Sequence, residues 1–286
     1  MSEVKRVTVV GAGTMGHGIA QVAAGSGIDV IVNDVSKEAI DRGLTTVHAN
    51  LVKGIERGKV TPAQKAGILQ RLHAEPDLAA AVREADVVIE AVPELLDLKR
   101  EIFAVADAVA PSEALLGSNT SSISISRIAE ATSRPERVVG LHFFNPVHLM
   151  PLVEVVRGKQ TSDETMRRAA AFSEALGKEA IAVKDSPGFA SSRLGLVLGL
   201  EAMRMLEDGV ASAEDIDKVM TKGYRHPMGP LRLTDLVGLD VRLSIAEYLH
   251  SELGSDAFRP PEILRKMVAE GRLGKKTGRG FHEWES

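Results

Sequence analysis

The chain has 286 residues, of which 44% are apolar; it carries a formal charge of −4 and no cysteine. That length holds one large or two medium domains with a sizeable core. The mild charge and 3% aromatic content argue against nucleic-acid binding, and the lack of cysteine excludes disulfides, thiolate catalysis and cysteine-type zinc sites while fitting a reducing cytoplasm. The first strand begins a few residues from the N-terminus, leaving no room for a signal peptide. The apolar run Leu194 to Leu200 is far shorter than the ~20 residues of a membrane span.

The chain opens with Val7-Thr8-Val9-Val10, a short buried strand by its β-branched content, followed by Gly11-Ala12-Gly13-Thr14-Met15-Gly16. In this G-x-G-x-x-G pattern the first glycine allows the turn and the second lets backbone approach a pyrophosphate. The third lets the new helix pack closely on the strand. The helix N-terminus faces the phosphates with its unpaired amides. A second strand, Val30-Ile31-Val32-Asn33-Asp34, ends in an acid 18 positions after Gly16, where a carboxylate grips the adenosine ribose. That carboxylate repels a 2′-phosphate and no arginine follows nearby, so the spacing predicts NAD rather than NADP. Gly11, Gly13, Thr14, Met15, Gly16 and Asp34 are the expected cofactor contacts.

Ser36 is placed to cap a helix running through Ile40, Leu44, Val47 and Leu51. Residues 52–59 then read as a solvated helix face and a turn, or as a place where Lys53 and Arg57, one turn apart, hold a phosphorylated ligand. Thr61-Pro62 starts another helix. Strands follow at 86–92, at 115–118, at 137–143, at 152–156 and at 179–183, with helices between, one at 163–176. Glu94 sits just past a strand end, Lys99 lies in the next helix, and Asn119 to Ser122 lie past another strand end. Open α/β sheets bind ligands there. The alternation implies a doubly wound sheet. From Pro187 the periodicity is helical, with an apolar stripe of Leu194, Leu198, Ala202, Met205 and Leu206, and further helices near 212–222, 240–252 and 260–270. The expected organisation is a Rossmann-type α/β domain, 1–186, and a smaller all-helical domain, 187–286. The segment 272–280, with four cations among glycines, is either a solvated tail or a flexible loop that closes on phosphates.

A dehydrogenase of a carbinol needs a base within hydrogen-bond reach of the hydroxyl. Of the eight histidines, His17, His48, His73 and His250 fall on helical stretches as surface residues; His148 and His226 fall in loops. His142 follows a strand on the ligand side of the sheet. Glu154, flanked by Val153 and Val155, is costly in an apolar strand unless paired. A proline-rich connection separates the two, and it could bring them together so that the carboxylate fixes the imidazole tautomer. The alternative is that Glu154 lies on a sheet face turned to water.

Six stretches in order resemble the L-3-hydroxyacyl-CoA dehydrogenase family, most closely its stand-alone bacterial 3-hydroxybutyryl-CoA branch. They are residues 11–16, Asn119-Thr120-Ser121-Ser122, Gly140 to Pro146 around His142, Leu152-Val153-Glu154-Val155, Asp185-Ser186-Pro187-Gly188-Phe189 and Gly274-Lys275-Lys276-Thr277-Gly278. The resemblance implies reversible, NAD-dependent oxidation of an (S)-3-hydroxyacyl-CoA, with the substrate cleft between two domains and a homodimer formed through the helical one. It implies His142 as base, Glu154 as its partner, Ser121 on the 3-oxygen and Asn145 positioning acyl group and nicotinamide. Glu94, Lys99 and Lys276 would contact the cofactor. Lys53 or Arg57 would meet the CoA nucleotide, although there the match is poor. Ser192 stands where the family usually has asparagine, which bears on acyl-chain preference. No metal is expected. Rival readings are a same-fold dehydrogenase of a free 3-hydroxy acid such as L-gulonate, and a non-catalytic NAD-binding relative. The expected compartment is the cytoplasm.

Overall fold

The computed structural model describes residues 4–284. The chain divides into two compact units, residues 1–186 and 187–286.

The first unit is an eight-stranded sheet in the order β3-β2-β1-β4-β5-β6-β7-β8. Its first half comprises β1 (Arg6–Val10), α1 (Gly16–Gly25), β2 (Asp29–Asn33), α2 (Lys37–Glu56), α3 (Pro62–Gln70) and β3 (Leu72–Ala74). Then come α4 (Leu78–Val82), β4 (Val87–Glu90), α5 (Leu96–Val109), β5 (Leu115–Ser118) and α6 (Ile125–Ala129). The unit closes with β6 (Val138–Phe143), β7 (Leu152–Arg157), α7 (Asp163–Ala175) and β8 (Glu179–Lys184). Strands β1, β4, β5 and β6 are fully or almost fully buried, which is why they read as continuous apolar runs instead of alternating ones. Apolar side chains of α1 and α7 pack with those of the sheet in one core that includes Ile19, Ala23, Val87, Leu141, Phe143 and Phe172.

Local chemistry sets the helix starts. Ser36 accepts from the Ala39 amide, and Thr61 and Gln64 form a reciprocal capping box ahead of Pro62. Helix α2 continues to Glu56, so Lys53 and Arg57 sit exposed at its carboxyl end. The short elements β3, α4 and α6 lack a periodic signature and were not foreseen; His73, expected on a helix, lies on strand β3.

Seven strand pairings include one exception to parallel order. β6 and β7 are antiparallel, because only the eight residues 144–151 separate them, too few for a crossover. β7 and β8, joined by α7, are again parallel.

The second unit contains α8 (Ser191–Glu207), α9 (Ala213–Lys218), α10 (Pro230–Val237), α11 (Leu239–Leu253) and α12 (Glu262–Ala269). Its core holds Leu196, Leu200, Met203, Leu231, Leu239, Leu249 and Leu264. The buried face of α8 is therefore Leu196, Leu200 and Met203. The stripe expected from Leu194 is offset, and Leu194 itself is 70% exposed. Apolar residues occupy more than half the circumference of this helix, so periodicity alone did not determine which face turns inward.

The glycine-rich segment at 272–280 is neither tail nor open loop. It folds back through bridges Gly274–Arg279 and Arg279–Glu283, over a fully buried Asp235 on α10. Asp235 accepts hydrogen bonds from the amides of Phe281 and His282 and from Trp284 Nε1. Gly274 and Gly280 lie so close to Asp235 that a Cβ at either would stand 2.2 or 2.0 Å from its atoms. His282, which the sequence reading passes over, places Nε2 2.8 Å from Asp217, whose carboxylate also accepts the Leu231 and Arg232 amides. Asp235→Ala is expected to destabilise this unit by roughly 2–4 kcal/mol, since three donors lose a buried charged acceptor. The fluorescence of Trp284, the only tryptophan, is expected to shift to the red at lower urea concentration than in wild type.

Candidate active site

The chain runs β1, β2, β3 to one side and then crosses to β4 on the other side of β1. The switch point between β1 and β4 is where open α/β sheets bind ligands. The loops after β1, β2, β4 and β5 all emerge at that carboxyl edge. Residues Asn33, Val10, Glu90, Ser118 and Gly140 lie in one register across five strands beneath it.

The loop after β1 fits a dinucleotide. Gly11 has φ +100°, and a Cβ there would stand 2.7 Å from the Ala91 carbonyl. A Cβ on Gly16 would stand 1.6 Å from the Gly11 oxygen, so only glycine lets α1 start this close to β1. Gly13 has nothing within 4 Å of its Cβ position, leaving its backbone open to approach. Thr14 is exposed and Met15 half-buried beside it, and Met15 offers no capping side chain to the helix amides. Asp34 accepts from the Ala12 amide at 2.7 Å through Oδ2, and from the Val35 amide through Oδ1. The acid is thus tied to the glycine loop at the end of β2, with lone pairs remaining for a ribose diol. Among the described residues no group of acids, histidines or cysteines could hold a metal.

His142, near the end of β6, stands directly opposite Glu154 on β7. Residues paired in this way project from the same face of the sheet. His142 Nδ1 lies 2.7 Å from Glu154 Oε2. Glu154 is fully buried and His142 is 8% exposed, so the alternative of a water-facing Glu154 is excluded. An ionised carboxylate only accepts, so Nδ1 carries the proton and the neutral ring has its lone pair on Nε2. Phe144 tilts against the imidazole with ring centroids 4.9 Å apart.

The intervening loop is tied down from two sides. Buried Lys178 donates to the carbonyls of Val147 and Met150, and burial lowers its pKa. Gly18 on α1 admits Val147, whose side chain would stand 2.9 Å from a Cβ at that position. Asn145 is exposed on this loop, preceding a cis proline. Asn119 Oδ1 accepts from the Phe143 amide and joins the end of β5 to the end of β6.

Ser121 lies on the loop after β5, and a second network shapes that loop. Lys99, expected to contact cofactor, is instead enclosed, being 1% exposed with Nζ 2.7 Å from Glu90 and 3.2 Å from Glu94. Its stem crosses the core from α5, and its charge is spent inside. Fully buried Glu90 also accepts from Ser118 Oγ and the Val92 amide. Glu94 in turn accepts from Thr120 Oγ1, Ser122 Oγ and the amides of Ser121 and Ser122. Glu90 has no site role in the sequence pattern, and Thr120 belongs to the polar stretch 119–122 without a role of its own there. The available signal was an acid, Glu90, ending an apolar strand nine positions before a lysine. Asp185 similarly accepts from Ser124, Ser126 and the Ile125 amide at the start of α6.

Lys53 and Arg57 do not join this cluster. Gly43 of α2 sits against Ala12 of the glycine loop; Lys53 is ten residues farther along the helix, or about 15 Å. In the helical unit, Lys276 Nζ pairs with both oxygens of Asp240 at 2.6 Å. Ser192 lies half-buried in the first turn of α8.

A glycine cradle, an acid tied to it at the end of β2 and a buried His–Glu pair at one sheet edge fit an NAD-dependent dehydrogenase. Comparison with known proteins gives the class its family. The model of the 3-hydroxyacyl-CoA dehydrogenase NAD-binding domain matches residues 6–186, and that of the C-terminal domain matches residues 188–284. The chain is 44% identical to a 3-hydroxybutyryl-CoA dehydrogenase of Bradyrhizobium diazoefficiens, covering 98% of this chain and 96% of that one. It is 41% identical to the mitochondrial hydroxyacyl-coenzyme A dehydrogenase of Sus scrofa, covering 99% and 92%. The crystal structure of (S)-3-hydroxybutyryl-CoA dehydrogenase from Ralstonia eutropha superposes with a TM-score of 0.94 at 44% identity, covering 99% and 100%. The chain belongs to the 3-hydroxyacyl-CoA dehydrogenase family of NAD-dependent oxidoreductases.

Burial opposes charge on Glu94, but Lys99 and the hydroxyls of Thr120 and Ser122 outweigh it, and its pKa lies below the ordinary 4.5. A depressed folded-state pKa adds stability that is complete above the unfolded value and is lost as pH falls through the folded one. Glu94→Gln is therefore expected to remove part of the stability loss seen below pH 4.5, measured as urea midpoints over a descending pH series.

Proposed function

We propose that the chain catalyses the reversible oxidation of an (S)-3-hydroxyacyl-CoA, such as 3-hydroxybutyryl-CoA, to the 3-ketoacyl-CoA, with His142 as the general base. The observation that carries this reading is the buried 2.7 Å contact between His142 Nδ1 and Glu154 at the carboxyl edge of a dinucleotide-binding sheet. Glu154 holds the ring in the tautomer with its lone pair on Nε2, and it stabilises the imidazolium once Nε2 has taken the hydroxyl proton. Ser121 donates a hydrogen bond to the 3-oxygen, and Glu94 orients its loop. Bound NAD supplies a hydride acceptor for the hydrogen on carbon 3. In the reverse direction His142 returns the proton to the ketone oxygen as hydride arrives.

The remaining assignments follow the same reading. Gly11, Gly13, Thr14, Met15 and Gly16 bind the pyrophosphate and Asp34 binds the ribose, with Glu94 and Lys276 on the cofactor. Lys99 acts through Glu90 and Glu94. Asn145 positions the acyl group and nicotinamide. Ser192 replaces an amide with a shorter hydroxyl at the acyl group. Lys53 and Arg57, exposed and solvated, are suited to the charged nucleotide of CoA. The helical unit forms a homodimer, and the protein works in the cytoplasm; among the described residues no helix is long and apolar enough to cross a membrane.

His142→Ala is expected to cut kcat by roughly two to four orders of magnitude while leaving NAD affinity nearly unchanged. NADH absorbance with acetoacetyl-CoA, against a panel of free keto acids, measures both the loss and the substrate class. Near-wild-type turnover by this variant removes His142 from the mechanism. Asp34→Ala is expected to raise KM for NAD far more than KM for the thioester, as two parallel saturation series show.

A further inference from the structure

Within the helical unit one buried charge has neither a nearby acid nor a complete set of hydrogen bonds. Arg242, in the first turns of α11, is 7% exposed. Its Nε is buried without a hydrogen-bond partner. Burial alone pushes its pKa down to about 10, with no acid close enough to hold it up. The other buried charges described above are paired or hydrogen-bonded: Lys99 with Glu90, Glu154 with His142, Asp217 with His282, and Asp235 with two amides and the Trp284 indole. Lys178 is instead saturated by carbonyls. A guanidinium left unpaired in the interior is costly, so a natural sequence that keeps one retains it for something that arrives later.

The surroundings are shaped for a small anion. The guanidinium lies over Gly195 of α8, whose Cβ position is 3.7 Å from one terminal nitrogen and 4.0 Å from the other. Gly199, one turn farther on the same face, lies beneath Thr234, whose hydroxyl is likewise buried and unpartnered. Two glycines at i and i+4 leave this strip of α8 without side chains, and two unsatisfied polar groups face it. Gly195 is three residues, or about one helical turn, past Ser192.

We propose that Arg242 is a specificity-determining residue which binds a carboxylate at the far end of the acyl chain, so that the preferred substrate is a 3-hydroxyacyl-CoA of a short dicarboxylic acid. The proposal rests on the assignment of Ser192 to the acyl group. A guanidinium meets a carboxylate through two parallel hydrogen bonds. An enclosed fork of this kind suits one monoanion, whereas the phosphates of CoA stay solvated and suit exposed cations such as Lys53 and Arg57. The Thr234 hydroxyl supplies a further donor along the same strip. A methyl-ended chain would leave the buried Nε of Arg242 unpaired, and discrimination against it follows from that lost hydrogen bond.

The test compares two six-carbon 3-hydroxyacyl-CoA thioesters, one ending in methyl and one in carboxylate, with wild type, Arg242→Met and Arg242→Lys. Wild type is expected to favour the carboxylate-ended thioester roughly 10- to 100-fold in kcat/KM. Arg242→Met is expected to lose that ratio while still turning over the methyl-ended thioester, and Arg242→Lys to keep part of it. Arg242→Met is also expected to melt no lower than wild type, because it removes an unpaired buried charge. No preference in wild type, or one unchanged in Arg242→Met, overturns the proposal. So does an altered oligomeric state with unmoved selectivity, which assigns the anion to an acidic side chain of a second copy. Absence of turnover on both thioesters defeats the reading of His142 instead, and calorimetric Kd values then decide. A wild-type binding preference abolished in Arg242→Met supports the carboxylate site, and equal affinities overturn it.

Discussion

The reversal of strand direction between β6 and β7 is the constraint on which the site depends. An antiparallel pair sets residues directly opposite one another, and here it sets His142 against Glu154. Glu154 is fully buried and as a lone carboxylate would be expensive to keep there. The imidazole Nδ1 supplies the donor that makes its burial tolerable. The same contact gives the histidine its tautomer. Pairing a buried acid and orienting an imidazole, the latter being what the proposed role of His142 as base requires, are met by one hydrogen bond. That bond in turn depends on the connection at 144–151 being short and immobilised, which Lys178 and the packing of Val147 against Gly18 achieve.

A second pair of opposite charges lies beneath the neighbouring loop and plays a different part. Glu90 and Lys99 are both enclosed, and neither has a route to solvent. Their pairing fixes a platform, because Glu90 takes the Ser118 hydroxyl and Lys99 reaches Glu94, which gathers four donors from residues 120–122. Ser121 is held through its amide by Glu94, which is itself held by a lysine that Ser121 does not touch. Buried ion pairs add little net stability once desolvation is counted, but a pair with several further donors restricts the loop to one geometry. That restriction is what the proposed role of the Ser121 hydroxyl requires.

The helical unit follows the same rule and breaks it once. Asp217 and Asp235 are buried carboxylates surrounded by amides, His282 and Trp284; through them residues 281–284 are held against α10. Arg242 has no acid beside it and keeps a buried Nε without a hydrogen-bond partner. The contrast between a unit that satisfies its acids so thoroughly and a cation it does not satisfy gives that cation its interest.

Much was determined by the sequence alone, because the relevant signals are local. Glycines at 11, 13 and 16 followed by an acid at 34 dictate a tight turn, a close helix–strand approach and a carboxylate beside the glycine loop within one βαβ unit. Alternation of strands and helices, ending at Pro187, marks where the pattern turns wholly helical. Together with six ordered stretches, these also point to the family. Tertiary structure decided what depends on contacts between distant segments. Nothing in residues 142 to 154 states that the strands run antiparallel, so the meeting of His142 and Glu154 was open until the register was seen. Glu90 read as part of a strand and Lys99 as a cofactor contact on the next helix, since pairing across nine residues is a matter of which way a helix faces. The buried face of α8 was misplaced for a related reason: a helix apolar on most sides has no preferred inward direction until its neighbours supply one. The cation-rich segment at 272–280 looked mobile because glycine and lysine favour solvent, and only the buried Asp235 turns it into a fixed clasp.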